Sequence, residues 1–186
     1  MSPSVAVTSL IALAALAITA CAESPIVEPV ASGSAARATS GTSSRAAAPS
    51  RPAGGTCTLA GRPEVLPPLA GQPANVVRRR TEWACQLQHL GRTTASATET
   101  GTAMASGSSV TGTAVFTAAN GDQLVTTFSG MATFPDQNGI VTFDGTDILT
   151  GGTGRFAGAS GSFTRETRVN VFLGTGQFVL DGMMSY

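Results

Sequence analysis

Leu124-Val125-Thr126-Thr127-Phe128-Ser129-Gly130-Met131-Ala132-Thr133-Phe134 is the stretch that decides the fold. Leu124, Thr126, Phe128, Gly130, Ala132 and Phe134 share one parity, and period-two alternation sends such a set to a single face of a β-strand. Asn120-Gly121 precedes the run and Asn138-Gly139 follows it. Asn-Gly is the preferred pair of a type I′ hairpin, so Gly121 and Gly139 read as turn glycines and the run as one strand of an antiparallel meander.

The same reading extends in both directions. Val110, Gly112, Ala114 and Phe116 share a face upstream, and Phe178, Leu180, Gly182, Met184 and Tyr186 share one downstream. Gly174-Thr175-Gly176 marks a further reversal. Leu87, His89 and Gly91 follow Cys85 on one parity, which predicts that His89 lies inside with the core. Thr, Gly and Ser interrupt every candidate helix. About seven or eight short strands in roughly 100 residues predict an all-β fold, a small antiparallel up-and-down barrel of about eight strands. Closure would remove the exposed edges; a β-sandwich is the alternative.

The N-terminus carries a different signal. Val5 to Ala17 is an uncharged apolar run, too short for a membrane span but of the length of a secretory h-region. It leads to Ile18-Thr19-Ala20-Cys21, which resembles the lipobox of bacterial lipoproteins and implies a Cys21 that receives diacylglycerol and is cleaved before it. Multiple acyl chains anchor durably. Ala20-Cys21-Ala22 also suits ordinary signal peptidase, which would release a protein starting at Glu23, and an uncleaved anchor is a third option. Met1-Ser2-Pro3-Ser4 lacks the usual Lys or Arg.

Residues 22–55 are dominated by Ala, Ser, Pro, Thr and Gly and lack the large apolar groups that offset chain entropy. The expected organisation is a signal peptide over 1–20 and a disordered tether over 21–55. An irregular lead-in over 56–84 and the barrel over 85–186 follow. With Cys21 lipidated, Cys57 and Cys85 remain as one pair for an oxidising compartment; two free thiols are the alternative. One His, no CxxC and two available Cys leave no metal site.

Charge excludes more than it suggests. Between Cys21 and Cys85 seven Arg face four acids, and from Gln86 to Tyr186 four Arg face seven acids. Arg78-Arg79-Arg80 is expected in a solvated loop, without the aromatic platform that nucleic-acid binding would use. The chain has no lysine, which rules out Schiff bases, a P-loop lysine and Ser-Lys dyads.

Four features invite chemistry. Gly152-Thr153-Gly154-Arg155-Phe156-Ala157 matches G-x-G-x-x-A, but a dinucleotide site needs a following helix, and the residues from Gly158 onward read as a strand. Gly152 and Gly154 are therefore turn glycines, and no cofactor is expected. Asp144-Gly145-Thr146-Asp147 lacks the ligand series of a calcium loop and reads as a bulge or turn. Arg155, Arg165 and Arg168 with Glu166 are candidates for an anion-binding rim. His89 is the candidate general base, with Asp122 or Asp144 as its orienting acid.

Gly151-Gly152-Thr153-Gly154-Arg155-Phe156, with Ala119-Asn120-Gly121-Asp122 and His89-Leu90-Gly91-Arg92, resembles a set of small bacterial exported β-barrels. These are similar to the allene oxide cyclase and dirigent barrels of plants. The resemblance covers roughly Cys85 to Tyr186 and implies the barrel. Cyclases of that superfamily use a buried acid and ordered water, a pattern matched to no particular position here. The expectation is an exported, lipid-anchored barrel of the cell envelope that binds a small apolar ligand or an envelope partner, without nucleic acid. The alternatives are a secreted protein and a cyclase or isomerase acting on a hydrophobic substrate within the barrel.

Overall fold

The computed structural model describes residues 48–186. The expected signal peptide, Cys21 and the expected tether up to residue 47 lie outside the described residues. Nine strands follow in order: β1 (Arg51–Leu59), β2 (Glu64–Val65), β3 (Val76–Leu87), β4 (Gly91–Met104), β5 (Gly107–Ala118), β6 (Gln123–Ala132), β7 (Ile140–Gly152), β8 (Ser160–Asn170) and β9 (Thr175–Ser185). A single 3-10 turn, Gly154–Phe156, is the one helical element among the described residues.

Each strand from β3 to β9 pairs antiparallel with the next, β9 pairs with β1, and β1 pairs back with β3. The sheet is thereby a closed eight-strand barrel, with β2 as an additional short strand on β3. Closure leaves no hydrogen-bonding edge along most of the wall, and alternate residues of every strand point into one lumen. Leu124, Thr126 and Phe128 are buried on β6, as are Val110, Ala114 and Phe116 on β5, and Phe178, Leu180 and Met184 on β9. Phe134 departs from that pattern because β6 ends at Ala132, leaving its ring half-exposed in the following loop.

The barrel reaches further towards the N-terminus than residue 85. β1 occupies part of the stretch expected to be tether, and β1, β2 and β3 occupy most of the expected lead-in over 56–84. Its glycines explain why β1 reads as linker yet fits as a strand: a Cβ on Gly54 would stand 2.3 Å from the Leu180 carbonyl oxygen, and one on Gly55 2.1 Å from that of Gln86. Pro63 and the pair Pro67-Pro68 donate no backbone N–H, which confines β2 to two residues. Arg78, Arg79 and Arg80 belong to β3 rather than to a loop.

Cys57 and Cys85 form a disulfide. They are directly paired residues of β1 and β3, so the bond fastens the ladder that closes the barrel.

The turns differ from type I′. That turn needs positive φ at both central residues, but His89 is the only non-glycine with positive φ among the described residues. Instead Gly121 donates to the Ala118 carbonyl and Gly139 to that of Asp136, both at 2.9 Å, with φ of 89° and 76° at the two glycines. This matches a turn of ordinary sense followed by a left-handed glycine. The Asp136 carboxylate accepts 2.8 Å hydrogen bonds from the Asn138 and Ile140 N–H groups. Those backbone donors, that of Ile140 above all, hold its carboxyl below the ordinary carboxylate value.

Candidate functional site

The inward parity of each strand divides the lumen into three levels. At the end bearing the β3–β4, β5–β6 and β7–β8 connections, Phe156 from the 3-10 turn is fully buried, and Tyr186 packs against it at 5.1 Å between ring centroids. Above it, Ala53, Leu87, Phe116, Leu124, Phe163, Leu180 and Met184 leave a void of about 20 Å³, room for about one water. This end is closed by side chains.

A buried ion pair lies at mid-height. Arg165 on β8 donates through Nε and Nη2 to the two carboxylate oxygens of Asp147 on β7, each at 2.7 Å, and Thr126 Oγ1 donates to Asp147 Oδ1 at 2.8 Å. Asp147 is fully buried and Arg165 is 5% exposed. The guanidinium carbon sits 4.4 Å from the ring centroids of both Phe128 and Phe178, an arrangement that stabilises a desolvated cation. The residue facing Arg165 across the β7–β8 ladder is Gly145, whose missing Cβ leaves room for the Phe143 ring. Bidentate, charge-assisted bonds of this kind lock both partners in place.

Above the ion pair the lumen opens into a cavity of about 570 Å³ at the opposite end. The volume falls in the range of small-molecule sites. Its wall is mainly apolar, with Val77, Trp83, Val110, Phe143 and Val169 from the strands and Phe134, Pro135 and Val171 from the loops. Glycine and alanine make the space: Gly101 and Ala103 line it, and a Cβ on Gly101 would meet nothing nearer than the Val77 carbonyl oxygen at 3.9 Å. Lower down, Gly112, Gly130 and Gly145 do the reverse. Their missing Cβ atoms are replaced by the rings of Phe128 and Phe143, which meet edge-to-face with centroids 6.2 Å apart.

Arg62, Asn75, Arg79, Thr81, Glu99, Ser108, Thr133 and Thr167 supply the polar third of the lining. Glu99 on β4 faces Arg79 on β3 across the ladder, with 3.6 Å between Arg79 Nη1 and Glu99 Oε1. Burial pushes the Glu99 carboxyl above its ordinary value, against the opposing pull of Arg79 and of Arg165 beneath it. Thr81 Oγ1 accepts a 3.0 Å bond from the Trp83 indole N–H. Thr167 Oγ1 is buried and has no partner, the only such side-chain atom among the described residues. The lip carries exposed apolar side chains from separate segments, including Val65, Phe172 and Leu173.

The residues singled out from sequence lie elsewhere. His89 is not in the lumen: it occupies the tight β3–β4 turn with φ of 66°, is exposed, and places Nε2 2.9 Å from the Pro52 carbonyl oxygen. The turn ends the alternation after Leu87, which is why parity misplaced it. Asp122 is half-buried at the same closed end. Arg155 joins the two segments, with Nη2 donating to the His89 carbonyl at 2.8 Å and Nε 3.5 Å from Asp122 Oδ2. Asp144 points outward from β7 and is exposed. No His89–carboxylate contact forms among the described residues.

The stretch from Asp144 to Asp147 is continuous strand rather than a bulge, and its two carboxylates emerge on opposite faces. The register shift of this strand pair instead falls between Val125 and Thr126. The arginine rim does not assemble either, because Arg165 is internal, Arg168 is exposed on the outer face and Arg155 stands at the closed end. Gly152 and Gly154 serve as close-approach positions: a Cβ would strike the Gln123 carbonyl at the first and the Asp122 carboxylate at the second, where φ is 57°. β8 follows them, without the helix a dinucleotide would require.

Glu99 and Thr167 were missed, and Arg79, Asp147 and Arg165 were read in other roles, although a signal existed. Asp147 shares parity with Phe143 and Leu149, Arg165 with Phe163, and Glu99 with Ala95 and Ala97. An acid and an arginine on core parity must find one another inside. No protein-family model and no curated protein matches this chain.

Proposed function

We propose that this protein binds a small, mostly apolar molecule in the mouth of its barrel. The observation that carries the reading is the cavity of about 570 Å³, walled mainly by apolar side chains such as Val77, Trp83, Val110 and Phe143. Eight-stranded barrels either fill their lumen or hold one small ligand, and here one half does each. The lipobox-like Ile18-Thr19-Ala20-Cys21 supports an exported, lipid-anchored protein of the cell envelope, with a secreted form as the alternative. The likeness of the glycine turns to the allene oxide cyclase and dirigent barrels is in keeping with a ligand-holding barrel. The cyclase or isomerase alternative has lost its proposed base, because His89 lies outside the lumen.

Titration with diphenylhexatriene, a neutral hydrocarbon whose fluorescence rises in apolar surroundings, tests the reading. Wild type is expected to bind about one molecule per chain. Gly101→Trp, which fills the cavity from a position with open space at its Cβ, is expected to weaken binding at least tenfold while keeping the β-sheet circular dichroism. Absence of binding by wild type, or equal binding by the filled variant, overturns it.

A further inference from the structure

We infer that the mouth cavity selects an uncharged amphiphile, an apolar chain or ring system carrying one hydroxyl or carbonyl, whose polar atom bonds Thr167 Oγ1. The inference rests on the reading that the cavity binds a ligand, and adds the ligand's charge and the position of its polar atom.

The charges within reach are already matched. Arg79 faces Glu99 at 3.6 Å. Beneath them Arg165 spends Nε and Nη2 on Asp147, whose Oδ1 is also bonded by Thr126. Two cations face two carboxylates, so an ionic head group entering the cavity would lose its water and meet an opposite charge already engaged, together with a like charge beside it. Burying a charge without a partner of its own is strongly unfavourable. Arg62 also lines the mouth but is exposed and hydrated at the lip.

What the cavity leaves open is a neutral hydrogen bond. Thr167 is on the inward parity of β8, two residues above Arg165, and faces Phe143 on one neighbouring strand and Phe178 on the other. A hydroxyl offers one donor and two acceptor positions, and that of Thr167 is buried with none of them met by protein. The hydroxyl is closed off from the cavity in the ligand-free chain and meets a ligand by turning about χ1, when it can donate to or accept from a ligand hydroxyl, or donate to a ligand carbonyl. The cavity, taken at roughly 30 Å³ per water-sized group, has room for roughly 20 such groups, enough for a 12-carbon chain or a fused-ring skeleton with its polar atom at the floor.

The test is displacement of diphenylhexatriene from the full chain at pH 8 by three 12-carbon competitors, dodecanol, dodecanoate and dodecyltrimethylammonium, with emission of Trp83, the sole tryptophan, as a second readout. Dodecanol is expected to compete at least 10-fold better than either ion. Thr167→Val, of nearly the same shape, is expected to weaken dodecanol about 3–10-fold, the effect of one hydrogen bond, and to leave binding of the hydrocarbon probe unchanged. Dodecanoate or the ammonium competing as well as dodecanol overturns the inference while the binding reading stands. An unchanged dodecanol affinity in Thr167→Val overturns the assignment of the polar atom. If neither probe nor competitors bind to wild type, both readings fall.

Discussion

Replacing Arg165 with Met removes the cation from the barrel's buried pair and leaves the Asp147 carboxylate with the Thr126 hydroxyl as its one remaining partner. Methionine retains much of the packing between Phe128 and Phe178. Leaving a fully buried carboxylate without its cation costs roughly 3–5 kcal/mol. With an unfolding entropy of about 2.1 cal/mol/K per residue over roughly 140 residues, a loss of about 4 kcal/mol lowers Tm by about 14 °C. Urea denaturation of wild type and Arg165→Met, disulfide intact, should show this loss as a lower midpoint. Asp147→Asn in the same background should restore most of the stability, because the amide needs no counter-charge. A loss below about 1 kcal/mol, or no recovery on adding Asp147→Asn, would refute the reasoning.

Three further outcomes follow from the same structure. Cys57→Ala/Cys85→Ala, or reduction of the wild type, should cost about 3.5 kcal/mol on the loop-entropy estimate for a sequence separation of 28 residues, read as a drop in the urea midpoint. Because Glu99 is raised above its ordinary value of 4.5, the folded state holds its proton more tightly than the unfolded chain does. Its contribution is complete below pH 4.5 and declines as pH rises through the folded value. The stability of wild type relative to Glu99→Gln should therefore fall as pH rises from 4.5, and a constant difference in thermal melts across that range would contradict the assignment. Gly112→Ala would bring a Cβ 2.4 Å from the Phe128 ring and 2.6 Å from the Thr98 carbonyl, and should destabilise by about 1–3 kcal/mol, whereas Gly101→Ala should fall within about 0.5 kcal/mol of wild type in the same melts.

The sequence by itself determined the fold class and most of the wall. Alternation along β5, β6 and β9 is a local property with a period of two, and the buried residues Phe116, Phe128, Leu180 and Met184 follow it directly. The glycine reversals and the pairing of Cys57 with Cys85 were likewise legible, since each depends on residue type more than on distant context. β1 was not legible, because its Pro and Gly residues carry linker statistics and become a strand only when the backbones of β9 and β3 approach from both sides. His89 failed for a related reason: a tight turn resets parity, and nothing local to Gln88-His89-Leu90 marks where the strand stops. The site lay beyond sequence altogether. Asp147 and Arg165 are separated by 18 positions, and Glu99 and Thr167 stand on strands far apart in the chain. Only closure of the barrel brings them to one lumen. Whether that lumen is filled or open then depends on three-dimensional volume, set by where Gly101 leaves space and where Gly112, Gly130 and Gly145 yield it to the phenylalanine rings.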